Sequence, residues 1–213
     1  MPLSELTPKL ELTLLKADVT RAELEKLCAD ARAQNCHGIC INSSLITRAA
    51  HLLEDTDLKI TSTIGFPLGV ADADVKRYET EVAIDHGAHE IEVVLNSGLL
   101  KDGEHEAVLR ELRDVVEAAD EHPVKVLIET SLLTREQVIL AAQLAVDSEA
   151  KFVTLSAVFG TRELSPDLLT ATREAVGPKF GIKVFAHTTM LADAARLLDS
   201  GATRIGITLV PKP

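Results

Sequence analysis

Ionisable side chains recur at alternate positions within short aliphatic runs of this chain, as in Ile91-Glu92-Val93, Val124-Lys125-Val126 and Ile182-Lys183-Val184. In a β-strand alternate side chains point to opposite faces. One face of each run is therefore apolar, and the other carries a charge. The apolar phase comprises Ile39 and Ile41, Ile91, Val93 and Leu95, Val124, Val126 and Ile128, Ile182 and Val184, and Ile205 and Ile207. The opposite phase holds Glu11 and Thr13, Cys40 and Asn42, Lys59, Thr61 and Thr63, Glu92 and Asn96. It continues with Lys125 and Glu129, Thr154 and Ser156, Lys183 and His187, and Arg204 and Thr208. Burying such a set is costly unless its members pair or line a wet site. Lysines among carboxylates suit imine chemistry, in which an unprotonated amine attacks a carbonyl and needs a lowered pKa. Lys125 and Lys183 lie on runs separated by one other run, so each can lower the other's pKa. Glu92 can then move protons to and from a hydroxyl.

The elements that must position these groups alternate along the chain. Strands are expected at Leu10–Leu15, Gly38–Asn42, Leu58–Phe66, Glu90–Asn96, Val124–Thr130, Lys151–Ala157, Gly181–Ala186 and Thr203–Thr208, each short and rich in Val, Ile, Leu or Thr. Helical patterns fill Thr20–Gln34, Ser44–Glu54, Asp72–Asp85, Glu104–Asp120, Thr134–Asp147, Ser165–Val176 and Thr189–Asp199. Thr20 with Glu23 forms a capping box, and Ser165-Pro166 puts proline in a first turn. Gly87 and Gly201 stand where a helix must stop before the next strand. Eight strands alternating with helices predict one α/β domain over 1–213, a parallel (β/α)8 TIM barrel, with an open doubly wound sheet as the alternative. After the eighth strand only Leu209-Val210-Pro211-Lys212-Pro213 remains, so the last helix is expected to be missing. The apolar flank of Ile205, Ile207 and Leu209 is then exposed, and a homodimer is the expected remedy.

Composition narrows the class. Acidic residues number 33 against 22 Lys and Arg, a net charge of −11, which repels phosphate backbones and argues against nucleic acid as a partner. No apolar run approaches membrane-spanning length, and no secretory signal is visible. Three cysteines, Cys28, Cys36 and Cys40, are too few and too oddly spaced for a disulfide framework or structural zinc, and point to a reducing cytoplasm. No dinucleotide, P-loop or zinc-protease motif occurs, so no cofactor and no metal is expected.

Six segments, in order, carry a family resemblance: LTLLKAD (12–18), ICIN (39–42), TIGFPLG (63–69), EIEVVLNSG (90–98), VKVLIET (124–130) and GATRIG (201–206). On them the chain resembles the deoxyribose-phosphate aldolase family. The resemblance implies a (β/α)8 barrel and class I aldolase ancestry, in which acetaldehyde and glyceraldehyde 3-phosphate are joined through a lysine Schiff base. Glu92 matches the family's proton-relay aspartate, and Lys183 matches its second lysine. Thr154 stands where the Schiff-base lysine belongs, and a hydroxyl cannot form an imine. The glycine turn expected after strand seven reads Ala186-His187-Thr188, so phosphate affinity is expected to be poor.

Three readings follow. In the first, Lys183 is a relocated Schiff-base amine for a small aldehyde or sugar-like ligand, with Glu92 as acid/base. Lys125 supports it, and Asn42, Ser156, Thr154, His187 and Glu11 line the ligand site. In the second, Glu92, Glu129 and His187 perform other acid-base chemistry. In the third, the barrel binds a metabolite or partner without catalysis.

Overall fold

A computed structural model describes residues 3–157, 164–186 and 191–208. Eight parallel strands close into a barrel in sequence order, β1 against β8. They are β1 Leu10–Leu14, β2 Gly38–Asn42, β3 Lys59–Ile64, β4 Glu90–Val94, β5 Val124–Glu129, β6 Phe152–Ser156, β7 Gly181–Ala186 and β8 Arg204–Thr208. The helices are α1 Leu3–Leu6, α2 Arg21–Gln34, α3 Ile46–Leu53, α4 Ala73–Asp85, α5 Ser97–Lys101, α6 His105–Ala118, α7 Arg135–Asp147, α8 Pro166–Val176 and α9 Leu191–Asp199.

Local signals explain the boundaries. Thr20 and Glu23 form the expected capping box on α2, and Thr134 with Gln137 repeats it on α7. Ser165 caps α8 with Pro166 in the first turn. Gly87 (φ +103°) and Gly201 (φ +110°) end helices in a conformation that side chains disfavour. The α3 region begins with a tight 3-10 turn, Ser43–Leu45, so its α-helix starts later than the periodicity predicts. The short α5 is not visible in the hydrophobic pattern. It is built by Asn96, whose Oδ1 accepts from Leu99 N at 3.2 Å. Asn96 is thus a helix cap, not the lumen residue its phase suggested.

The outward strand phase is the main core. Ile39, Ile41, Ile91, Val93, Val126, Ile128, Ile182 and Val184 are buried and join the apolar faces of the surrounding helices. Ile205 and Ile207 are buried in this layer too, at 0% and 6% exposure. The described part of the β8 flank is therefore covered within one chain. Leu209 lies outside the described residues.

A second buried device holds one rim of the barrel. Lys76 of α4 is fully buried, and its Nζ donates to Gly69 O (2.7 Å), Val94 O (3.0 Å) and Glu111 Oε1 (2.6 Å). One turn further on, Glu79 accepts from Gly65 N at 2.8 Å. The Gly65–Gly69 loop is thereby fixed at both ends to α4, and to the end of β4 two residues beyond Glu92. Removing one partner of a buried pair strands the other. Lys76→Ala is expected to cost about 3 kcal/mol in urea unfolding; a loss below about 1 kcal/mol would show that the pair is not structural.

Candidate active site

Strand alternation delivers the ionisable phase into the lumen. Register then sets the neighbours: Glu92 faces Lys125, Thr154 faces Lys183, and Lys183 faces Arg204 across adjacent strands. Glu11, Lys125 and Lys183 are completely buried, and Glu92 is 1% exposed.

Glu11 is the hub. Its Oε2 accepts from Lys125 Nζ at 2.5 Å and from Thr61 Oγ1 at 3.1 Å, and its Oε1 accepts a very short bond from Lys183 Nζ. Lys183 also reaches Glu92 Oε2 at 2.9 Å. The other oxygen of Glu92 takes a very short bond from the Thr154 hydroxyl. Cys40 Sγ donates to Glu92 Oε2 at 3.3 Å. Toward the N-terminal pole, Glu90 binds Lys125 (2.7 Å) and Arg204 (2.8 Å), and it contacts His37 Nε2 at 3.0 Å. Arg204 lies over the Phe152 ring, 4.7 Å from its centroid. The Glu11, Glu90 and Glu92 carboxylates thus face the cations Lys125, Lys183 and Arg204, and the charges balance. Among the described residues no buried side-chain N or O lacks a hydrogen-bond partner.

This balance sets the protonation states. Burial disfavours the Lys183 ammonium, but the negative groups around it outweigh burial and hold its pKa above the usual lysine value. We assign that effect to Glu11 and Glu92. Burial also pushes the Cys40 thiol well above its ordinary value, so it stays neutral and adds no charge. Glu11 responds in the opposite sense: burial would raise its carboxyl, but Lys125 and Lys183 lower it to about 2. Lys125 does not depress its fellow lysine, because the Glu11 carboxylate bridges the two amines. Donor atoms of Glu11, Cys40 and Glu92 lie within 4.8 Å of one another. The Lys183 ammonium already bonds both carboxylates of that group.

The structure thus gathers Lys183, Glu92, Thr154, Glu11 and Lys125 into one network. Glu11 and Thr154, expected to touch a ligand, have their polar atoms engaged by that network. Nearer the C-terminal ends of the strands, Ser156 donates to Glu129 Oε2 at 3.0 Å, and Ser131 makes a very short bond to Oε1. Asn42, half-buried at the rim, accepts from Thr63 Oγ1 at 3.4 Å. Neither Asn42 nor Ser156 contacts the lysine network directly. His187 lies outside the described residues. Glu90 is the member that the sequence reading missed. Its signal was present, since it shares the phase of Glu92 two residues on.

The sequence profile of the DeoC/LacD family aldolases matches residues 11–172. A deoxyribose-phosphate aldolase of Geobacillus sp. (strain WCH70) is 42% identical over 195 residues, covering 91% of this chain and 87% of that protein. One from Clostridium perfringens (strain SM101 / Type A) is 40% identical over 207 residues, covering 97% and 92%. Among solved structures, the tetrameric deoxyribose phosphate aldolase of Aeropyrum pernix superposes with a TM-score of 0.88 at 26% identity, over 96% of this chain and 87% of its own. An aldolase designated QR15 shares the fold, with a TM-score of 0.91 at 23% identity over 96% and 91%.

Proposed function

Because the chain belongs to the DeoC/LacD family of aldolases, we propose that it makes or breaks an aldol carbon–carbon bond through an imine on Lys183. The observation that carries this reading is the placement of the Lys183 amine in the barrel lumen, 2.9 Å from Glu92 and also bonded to Glu11. The neutral amine attacks an aldehyde carbon, the carbinolamine loses water, and an iminium forms. Its positive charge replaces the ammonium between Glu11 and Glu92, so the carboxylates that retain the resting proton also stabilise the intermediate. In the cleavage direction Glu92 takes the proton of the β-hydroxyl. The carbon–carbon bond breaks, its electrons pass to the iminium nitrogen, and one aldehyde leaves. The enamine that remains is protonated on carbon and hydrolysed, releasing the second aldehyde and restoring the amine.

In this reading Thr154 orients Glu92 through its hydroxyl, and Lys125 keeps Glu11 ionised. Asn42 and Ser156 meet the substrate's hydroxyls at the mouth. The substrate is a small aldehyde or hydroxy-aldehyde, and no cofactor or metal takes part. We place the protein in the cytoplasm, on the support of its three free, buried thiols. No helix among the described residues is long and apolar enough to cross a membrane.

Borohydride reduction with acetaldehyde is expected to leave an ethyl group on Lys183, located by peptide mass analysis, and Lys183→Met is expected to abolish it. One observation favours a second reading: a charge-balanced lattice suits a barrel that binds without reacting. The same experiment separates the two, because a binding protein traps on no lysine.

A further inference from the structure

Above the charged network the lumen changes character. Val94, Leu127 and Phe185 share the inward phase of Glu92, Lys125 and Lys183, each two residues closer to the C-terminal end of its strand. Val94 and Leu127 are buried at 3% and 6% exposure, yet they stand apart from the continuous core between strands and helices. Phe185 is placed by its neighbour on β8. Its Cα faces Gly206, and a Cβ there would lie 3.0 Å from Phe185 Cδ2 and 2.9 Å from Lys183 Cε. The absent side chain lets the phenyl ring and the lysine stem lie against the same patch of backbone. Lys125, Lys183 and Arg204 lie below this level and are paired with Glu11, Glu90 or Glu92. Among the described strand residues, none facing the lumen at this level is a lysine or arginine.

We propose that Phe185, with Val94 and Leu127, forms an apolar collar that determines specificity, admitting short uncharged aldehydes to Lys183 and disfavouring phosphate esters. This rests on the imine reading of Lys183. A ring beside the amine stem limits chain length. Apolar walls offer a phosphate no compensation for its lost hydration. Differences of a methylene or two in such a pocket change rates by about tenfold or more.

The test is the rate of borohydride-trapped adduct at Lys183 for acetaldehyde, propanal, pentanal and glycolaldehyde phosphate, in the full chain and in Phe185→Ala and Phe185→Leu. The native chain should trap propanal about tenfold faster than pentanal or glycolaldehyde phosphate. Phe185→Ala should raise the pentanal rate about tenfold relative to acetaldehyde, while Phe185→Leu, which restores apolar bulk, should retain most of the native preference. Equal trapping of propanal and pentanal by the native chain, faster trapping of the phosphate ester, or an unchanged profile in Phe185→Ala would overturn the collar and leave the imine reading standing. A protein that traps none of the aldehydes overturns the imine reading and this inference with it.

Discussion

Thr154→Lys is expected to raise the rate of aldehyde trapping at pH 7 by about 100-fold, equivalent to lowering an amine pKa by roughly two units. In the network around Lys183 three carboxylates face three cations, and Lys183 is held as an ammonium. A fourth cation beside Lys183 and Glu92 leaves one charge in excess. Like charges at hydrogen-bonding range favour the neutral form of one partner, by about 1 to 3 pKa units. Thr154 faces Lys183 across β6 and β7 and already bonds Glu92, so an amine placed there joins the same cluster. Trapping at position 154 or at Lys183 would each fit, because coupled amines share their titration. An unchanged rate in a folded variant would show that charge balance does not govern reactivity here.

Glu11→Gln reaches the same excess by removing an anion, and its effects run in opposite directions. Both buried lysines lose a carboxylate, so unfolding free energy is expected to fall by about 3 kcal/mol. Lys183 loses one of the two groups that keep it charged, so trapping at pH 7 should accelerate about tenfold. Urea unfolding and the trapping assay check the two halves separately. The sign of the pH dependence follows from the same residue. The Glu11 carboxyl is lowered from 4.5 to about 2, so its stabilisation is fully present above pH 4.5 and is lost as pH falls toward 2. Lys183 is shifted upward; its share is complete below pH 10.5 and fades only as pH rises beyond that. The native protein should therefore lose stability on the acid side of pH 4.5, and Glu11→Gln should lose less there. An equal acid slope in both proteins would contradict the assignment.

Much of this architecture was legible because two periodicities were strong. Alternation within aliphatic runs located all eight strands, and the capping residues Thr20, Thr134 and Ser165 mark helix starts that the structure confirms. The lumen was legible for the same reason, since phase alone sends Glu11, Glu92, Lys125 and Lys183 inward. Partner choice was not legible. Glu11 bridges two lysines 114 and 172 residues away, and only the closure of β1 against β8 creates that meeting. The sequence treated Lys125 as a neighbour that would depress Lys183, whereas the intervening carboxylate reverses the sign. Lys76 and Glu111 escaped notice because each lies on a helix whose other charged residues are not buried. Asn96 was misassigned because strand phase was carried two residues past the end of β4, where a cap takes over.

The central claim is that Lys183 is the reacting amine and that Glu11 and Glu92 hold it as an ammonium. It is tested most directly by the pH dependence of acetaldehyde trapping between pH 6 and 9, with the labelled residue located by peptide mass analysis at each pH. Lys183 alone should carry the label, at a rate rising about tenfold per pH unit without a plateau, because only its scarce neutral form reacts. A rate that levels off near neutrality, a label on another lysine, or no label at any pH would contradict it.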